Sequence, residues 1–441
     1  MNILFISLGC DKNLVDSEVM LGLINQKGYI ITNDENEADI IVVNTCCFIN
    51  DAKEESINTI LEMAELKKTA NLKALIVTGC LAQRYKKEIQ EEIKEVDAVV
   101  GTSSYENIVK VIEEALEGKV SESFEDIDVT PEVESKRVLT TGGYYSYLKI
   151  AEGCDKHCTY CIIPKIRGKF RSVPMERLIA EAKSLAEQGV KELMLVAQET
   201  TLYGVDLYGE KSLHKLLKEL CKVEGIEWIR ILYCYPEEIT DDLIQVMKEE
   251  EKICNYLDMP IQHASDNILK RMGRRTNRQE LIDIVTKLRK EIPDISLRTT
   301  LITGFPGETK EDHEQLLEFV DQMEFDRLGV FTYSPEEDTP AASMDGQIEE
   351  EVKEERKDEI MILQQEIAFE HAEKMVGRTL KVMIEGRLPE ENVYIGRTYM
   401  DAPNIDGYIF VNADHEFMSG DFVTVKVTGA KDYDLTAEIA E

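Results

Sequence analysis

Three times in its first 80 residues the chain leaves a short predicted strand through a small-residue turn that ends on cysteine: SLGC closes at Cys10, NTC at Cys46 and TGC at Cys80. The predicted strands Ile3 to Leu8, Asp39 to Val43, Ala74 to Val77 and Ala98 to Val100 alternate with amphipathic stretches, the pattern of a parallel sheet with crossover helices. In such a sheet the ligand crevice lies beyond the carboxyl ends of the strands. Spacings of 36 and 34 residues are each about one βα unit, so three thiols far apart in the chain are expected to converge. Cysteines are also good buried hydrophobes, and Cys47 beside Cys46 is read as packing. Equivalent placement at three strand ends favours a shared role for Cys10, Cys46 and Cys80.

Further along, residues 119–140 mix charges with a proline and little periodicity, and read as a linker. Six apolar runs follow, around Tyr147, Leu193, Ile229, Tyr256, Leu297 and Leu328, mostly separated by helical patterns. Six βα units make an incomplete parallel barrel, whose chemistry belongs at the strand carboxyl ends. Gln347 to Lys374 is a charged stretch with apolar residues at helical spacing. Beyond it the texture turns to short β-rich runs (LKVMIEG, YIGRTYM, GYIFVN, DFVTVKV) broken by Asp, Asn and Gly, as in a small barrel or sandwich. The expected fold is therefore multidomain α/β. It comprises an N-terminal parallel-sheet domain over 1–118, a linker over 119–140, a central (β/α)6 partial barrel over 141–372 and a small antiparallel β-barrel over 373–441.

Ten cysteines do not suggest a disulfide framework here, because the N-terminus MNILFISLGCDKN lacks a basic leader with a cleavage site and cytosolic reductants keep thiols free. No apolar run approaches the roughly 18 residues of a membrane span. The expectation is a cytoplasmic protein with no membrane partner. The densest thiol group is Cys154-Asp155-Lys156-His157-Cys158-Thr159-Tyr160-Cys161, after the first barrel strand. Iron–sulfur clusters usually take four protein ligands. Three thiolates in one loop would cap three corners and leave one iron open. A structural zinc is the alternative, and it would need further ligands at the right spacing. Cys221, Cys234 and Cys254 match no ligand spacing and are read as core.

The CxxxCxxC loop at the end of the first strand of a six-unit barrel resembles the radical SAM superfamily. That resemblance implies a 4Fe–4S cluster on Cys154, Cys158 and Cys161, with S-adenosylmethionine chelating the open iron and a 5′-deoxyadenosyl radical released by one-electron cleavage. It also implies that Tyr160 packs near the adenine, that Gln198 and Glu199 sit near the methionine end, and that Arg298 and the turn Gly304-Phe305-Pro306-Gly307-Glu308 contribute to the cofactor pocket. On their residues alone, Tyr160 is equally a surface aromatic and the two glycines equally a tight loop.

The whole constellation resembles the methylthiotransferases. This implies a second 4Fe–4S cluster on Cys10, Cys46 and Cys80, a terminal TRAM-like recognition module, and conversion of a substrate C–H bond to C–S–CH3. It also implies an electron donor and a sulfur donor as partners. Cys47 departs from the family pattern, which usually has a small residue there. One branch of the family modifies adenosine in transfer RNA; the other modifies the β-carbon of an aspartate in small-subunit ribosomal protein twelve. The motifs SLGCDKNLVDSE (Ser7 to Glu18) and GRTYMDAPNIDG (Gly396 to Gly407) resemble the second.

Charge bears on that choice independently. The chain carries 86 acidic and 51 basic residues, a formal net charge of −35. Residues 373–441 alone hold 7 Lys or Arg against 13 Asp or Glu. An RNA-tracking module should be basic, whereas an acidic one attracts a basic ribosomal protein, free or within the subunit. Lys156, Lys165, Arg167, Lys169, Arg171, Arg271, Arg274, Arg275 and Arg278 run against this trend and are read for the most part as ordinary exposed charge. A transfer-RNA enzyme and a non-catalytic iron–sulfur redox sensor are the competing functions.

Overall fold

The computed structural model describes residues 1–131, 136–389 and 392–440. Residues 132–135 of the expected linker, and 390, 391 and 441 of the expected terminal barrel, lie outside the described residues.

The first sheet comprises β1 (Asn2–Ser7), β2 (Ile30–Thr32), β3 (Ile40–Thr45), β4 (Ala74–Gly79), β5 (Ala98–Val100) and β6 (Ser121–Ser123), in the order β2-β1-β3-β4-β5-β6. All pairings are parallel. Strands β3 and β4 are buried from end to end, as a sheet covered by helices on both faces requires. Ile41, Val43, Leu75 and Val77 face one core, and Ile40, Val42, Ala74 and Ile76 the other. Strand β6 comes from within the segment read as a linker. Its three residues alternate too briefly to register as a strand, and only pairing with β5 reveals it.

The second sheet follows: β7 (Tyr145–Lys149), the short antiparallel pair β8 (Ala151–Glu152) and β9 (Arg171–Ser172), then β10 (Glu192–Val196), β11 (Trp228–Ile231), β12 (Ile253–Asp258), β13 (Ser296–Thr303) and β14 (Arg327–Thr332). Its order is β14-β13-β12-β11-β10-β7, six parallel strands open between β7 and β14. The outer face carries the helices over the largest core. The inner face carries Tyr145, Tyr147, Met194, Val196, Trp228 and Tyr256. Both neighbouring domains reach into that inner face, with Val15 from one side and Met383 and Ala402 from the other.

Helix Glu350–Lys374 lies against β14 and leads into a closed barrel of β15 (Thr379–Arg387), β16 (Val393–Arg397), β17 (Ile409–Asn412), β18 (Phe422–Lys431) and β19 (Asp434–Ile439). A buried ionic group docks this barrel. The guanidinium of Arg397 donates to Glu192 at 2.7 Å and to Glu385 at 2.5 Å, and Arg230 donates to the other Glu192 oxygen at 2.8 Å. The side chains of Glu192, Arg230 and Arg397 are wholly buried, so removing one partner would strand a charge, at a cost of about 3–5 kcal/mol.

Candidate functional site

The loop from Gly153 to Cys161 is held from three sides. Cys154 N–H donates to the Gly168 carbonyl at 3.1 Å, Thr159 N–H to Met272 at 2.9 Å, and Ala341 N–H to the Thr159 carbonyl at 2.9 Å. Gly153, at φ +77°, is required: a Cβ there would lie 2.1 Å from the Lys169 carbonyl oxygen. His157 takes the left-handed conformation at φ +53°. Cys154 and Cys158 are buried and Cys161 partly so. Burial, with the neighbouring thiol of Cys158 adding to it, lifts Cys154 to about 11 and pushes Cys161 up as well. Thiols crowded in this way resist ionising unless a cation takes up their charge.

Two groups from other segments flank the loop, and one of its own side chains turns inward. The Tyr235 hydroxyl lies 3.8 Å from Cys158 Sγ and the Arg274 guanidinium 4.0 Å from it. Arg274 stacks 4.3 Å from the Tyr235 ring centroid. Lys156 points inward to Glu237 at 3.2 Å, to Glu238, and to Glu199 at 3.8 Å.

Gln198 and Glu199 follow β10 and turn into the same region. Glu199 is fully buried; one oxygen accepts from the Thr201 N–H at 3.0 Å and from its hydroxyl, while Oε2 has no hydrogen-bond partner. Burial raises its carboxyl to about 7. Gln198 donates to Glu152 at 2.7 Å and leaves its own Oε1 buried and unpartnered. Gln198 Oε1 thus lacks any hydrogen-bond partner, and Glu199 Oε2 has only the Lys156 ammonium at 3.8 Å; a buried acceptor without a hydrogen bond costs of the order of 1–3 kcal/mol, and both suit an incoming ammonium group. Tyr160 packs edge-on to Phe305 with centroids 6.3 Å apart, partly buried beside Met272 and Ile268.

The remaining expected pocket residues do not meet the thiols directly. Gly304, at φ +71°, faces the Lys353 side chain, which comes within 2.1 Å of where a Cβ would be. Its turn is closed by Glu308, which accepts from the Phe305 N–H at 3.0 Å. Arg298 is held by Asp258 at 2.8 Å and by Asp406 of the terminal barrel at 3.6 Å.

Cys10, Cys46 and Cys80 sit at the ends of β1, β3 and β4, which are adjacent in the sheet. Gly9, at φ +89°, presses on Cys46, whose Sγ would lie 2.9 Å from an added Cβ. Burial, together with the nearby Cys80 and Cys10, lifts Cys46 to about 12. Cys47 is fully buried in the core with Val43, Ile60 and Val77. Cys221, Cys234 and Cys254 are likewise buried. Among the described residues no three His, Cys, Asp or Glu side chains are arranged around a single metal ion. A four-iron cluster takes its ligands at its corners, farther apart than one ion does.

Two links join the triads. Tyr233 and Tyr235 follow β11: the Tyr233 hydroxyl lies 3.2 Å from Asp11, with Lys12 Nζ 3.3 Å above its ring, and Tyr235 meets Cys158. Arg167, on the helix after the three-cysteine loop, reaches Cys80 Sγ at 3.5 Å. The reading of Lys156, Arg167 and Arg274 as exposed charge is corrected here, since all three are buried. Each has found an anionic or aromatic partner on another segment, and no local pattern announces that. Lys165, Lys169 and Arg275 are exposed.

Three family models match the chain: uncharacterized protein family UPF0004 over residues 2–101, the radical SAM superfamily over 148–320 and the TRAM domain over 376–440. Ribosomal protein uS12 methylthiotransferase RimO of Lachnoclostridium phytofermentans is 72% identical over 99% of this chain and 100% of its own length. The chain belongs to the RimO family. The RimO of Clostridioides difficile strain 630 is 53% identical over 98% of this chain and 97% of its own. At the level of fold, the radical S-adenosylmethionine methyltransferase TsrM of Kitasatospora setae superposes with a TM-score of 0.56 at 12% identity, covering 85% of this chain and 76% of that one. No helix among the described residues of this RimO-family chain is long and apolar enough to cross a membrane.

Proposed function

We propose that this protein methylthiolates ribosomal protein uS12 at the β-carbon of an aspartate, using S-adenosylmethionine and two 4Fe–4S clusters. The observation that carries the reading is the linkage of the two thiol triads across one interface. Arg167 reaches from the helix after one triad to a thiol of the other, and the Tyr233–Tyr235 segment contacts both neighbourhoods. Chemistry that activates a carbon and delivers sulfur to it needs its two centres within reach of one substrate.

The residues present suit these groups. Cys154, Cys158 and Cys161 would hold one cluster and Cys10, Cys46 and Cys80 the other; the first loop has no fourth thiol, and Cys47 beside the second set is packed into the core. When bound, these groups supply one-electron hydrogen abstraction at an unactivated carbon and sulfur for its replacement, which side-chain acids and bases cannot provide. Glu199 Oε2 and Gln198 Oε1 would accept the ammonium of S-adenosylmethionine. Tyr160 would wall the adenine. Arg274 and Lys156 would balance thiolate charge beside Cys158. Arg298 and the Gly304 turn would shape the outer pocket through Asp258 and Phe305.

The acidic terminal barrel would steer a basic protein toward the interface, an effect that salt should weaken. The reading needs an electron donor and a sulfur donor, and a cytoplasmic location where ribosomal proteins are met.

The test is anaerobic reconstitution of the full-length protein with dithionite, S-adenosylmethionine and uS12, followed by peptide mass spectrometry and assay for 5′-deoxyadenosine. A methylthio group on a uS12 aspartate is expected. An unmodified peptide with a modified transfer-RNA nucleoside would overturn the substrate. Absence of 5′-deoxyadenosine would overturn the activity in favour of a sensor.

A further inference from the structure

Arg167 stands where the two halves of the site meet, six residues after Cys161 at the end of helix Ile163–Arg167. Its side chain is 2% exposed. Nη2 donates to Asn13 Oδ1 at 2.8 Å and to Cys80 Sγ at 3.5 Å; Nη1 donates to Asp16 Oδ2 at 2.7 Å and to Glu152 Oε2 at 3.2 Å. Lys149 neutralises the same two carboxylates, bonding Asp16 and, at 2.7 Å, Glu152, with no contact to sulfur. Glu152 in turn accepts from Gln198 at 2.7 Å, the residue whose Oε1 is left buried and unpartnered. A continuous hydrogen-bonded path therefore runs from a thiol of the N-terminal triad to the expected methionine end of the cofactor pocket.

A buried arginine with two carboxylates and an amide already satisfied has little freedom to choose its remaining direction. The planar guanidinium splays its donors at fixed angles, so the partners Asn13, Asp16 and Glu152 aim the fourth Nη hydrogen. That N–H points at a sulfur. Reduction potentials of iron–sulfur clusters follow net charge and hydrogen bonds to the sulfurs. A donor to a ligand sulfur favours the more negative, reduced state, and so raises the potential.

We propose that Arg167 is a positioning residue for the second cluster: it fixes the Cys80 sulfur and, by its N–H···S contact, sets that cluster at a higher reduction potential than three thiolates alone would give. The proposal rests on the two-cluster reading and concerns one residue's part in it.

The experiment uses the full-length holoprotein carrying Cys154→Ala, Cys158→Ala and Cys161→Ala, so that the N-terminal cluster is read alone. Its midpoint potential is measured by mediated titration followed by electron paramagnetic resonance. Adding Arg167→Gln is expected to shift the midpoint to lower potential while iron per chain stays unchanged. Lys149→Gln removes one positive charge from the same group without touching sulfur, and a smaller shift is expected. Equal shifts from the two variants would overturn the proposal, because charge alone would then explain them. Arg167→Lys keeps the charge but not the fork and also serves if the glutamine variant fails to fold. A midpoint below the parent's supports the proposal, and a midpoint at the parent's value overturns it. A parent that binds no cluster sinks the two-cluster reading and this proposal with it. A loaded parent whose midpoint ignores both Arg167 variants sinks Arg167 alone.

Discussion

The two thiol triads are assembled by opposite routes. Cys154, Cys158 and Cys161 occupy one loop of eight residues, whereas Cys10, Cys46 and Cys80 come from three strand ends. The first triad is held by backbone hydrogen bonds to three neighbouring segments, and its shape is nearly local. The second exists only when β1, β3 and β4 are side by side in register. A loop motif can survive some loosening of its domain; an assembled one shares the stability of its sheet. In both cases a glycine precedes the first cysteine, at Gly153 and Gly9, because the chain must turn at positive φ against another segment before presenting sulfur.

That contrast can be broken at its strongest point by Cys158→Ala, which should abolish S-adenosylmethionine cleavage and product together, as read by 5′-deoxyadenosine and peptide mass. Cys80→Ala should separate the two readouts. Iron content falls toward half, cleavage continues and no methylthio peptide forms. Loss of both readouts would mean that the triads are not independent.

The glycines come next. Gly153→Ala meets a backbone carbonyl and should cost roughly 3 kcal/mol or more in urea unfolding of the apoprotein, while Gly9→Ala meets the Cys46 side chain and should cost about 2 kcal/mol. The reverse order would show that the assembled triad is the less forgiving.

The smallest effect concerns pH. Burial raises the Glu199 carboxyl to about 7; Lys156 and Thr201 oppose the shift, and Glu237 and Glu238 add to it. Between the ordinary carboxyl range and 7 the folded apoprotein keeps a proton that the unfolded chain has released. This stabilisation is complete below the unfolded pKa and is lost as pH rises through about 7. Glu199→Gln should flatten the thermal-stability profile across that window. A slope remains from Glu308, also lifted to about 7 by burial. A profile unchanged by the substitution would remove Glu199 from the account.

Legibility follows the same division. The four inner strands of the first sheet, the six of the second, the terminal barrel, the three-cysteine loop and the three cysteines at strand ends can be read from alternation, turns and spacing, whereas the edge strands β2 and β6 cannot. Two motifs whose resemblance pointed to substrate branch turn out to work largely between domains. In Ser7 to Glu18, Asp16 pairs with Arg167 and Lys149, and Glu18 with Arg137. In Gly396 to Gly407, Arg397 pairs with Glu192, Asp401 with Arg327 at 2.6 Å, and Asp406 accepts from Tyr256 at 2.9 Å. No periodicity marks such residues, because their partners lie 74 or more positions away.

The amino-acid order alone determined the alternation of strand and helix, the three-thiol loop and the acidity of the terminal barrel. These depend on neighbours a few residues apart and on summed charge. Tertiary structure decided that Cys47 packs into the hydrophobic core while Cys46 lies against Gly9. It also decided that Lys156, Arg167 and Arg274 turn inward and that Arg167 and the Tyr233–Tyr235 segment bridge the neighbourhoods of both triads. Each of these outcomes depends on which distant groups share a desolvated space, where an unpaired charge costs several kcal/mol and the fold is the only source of its partner.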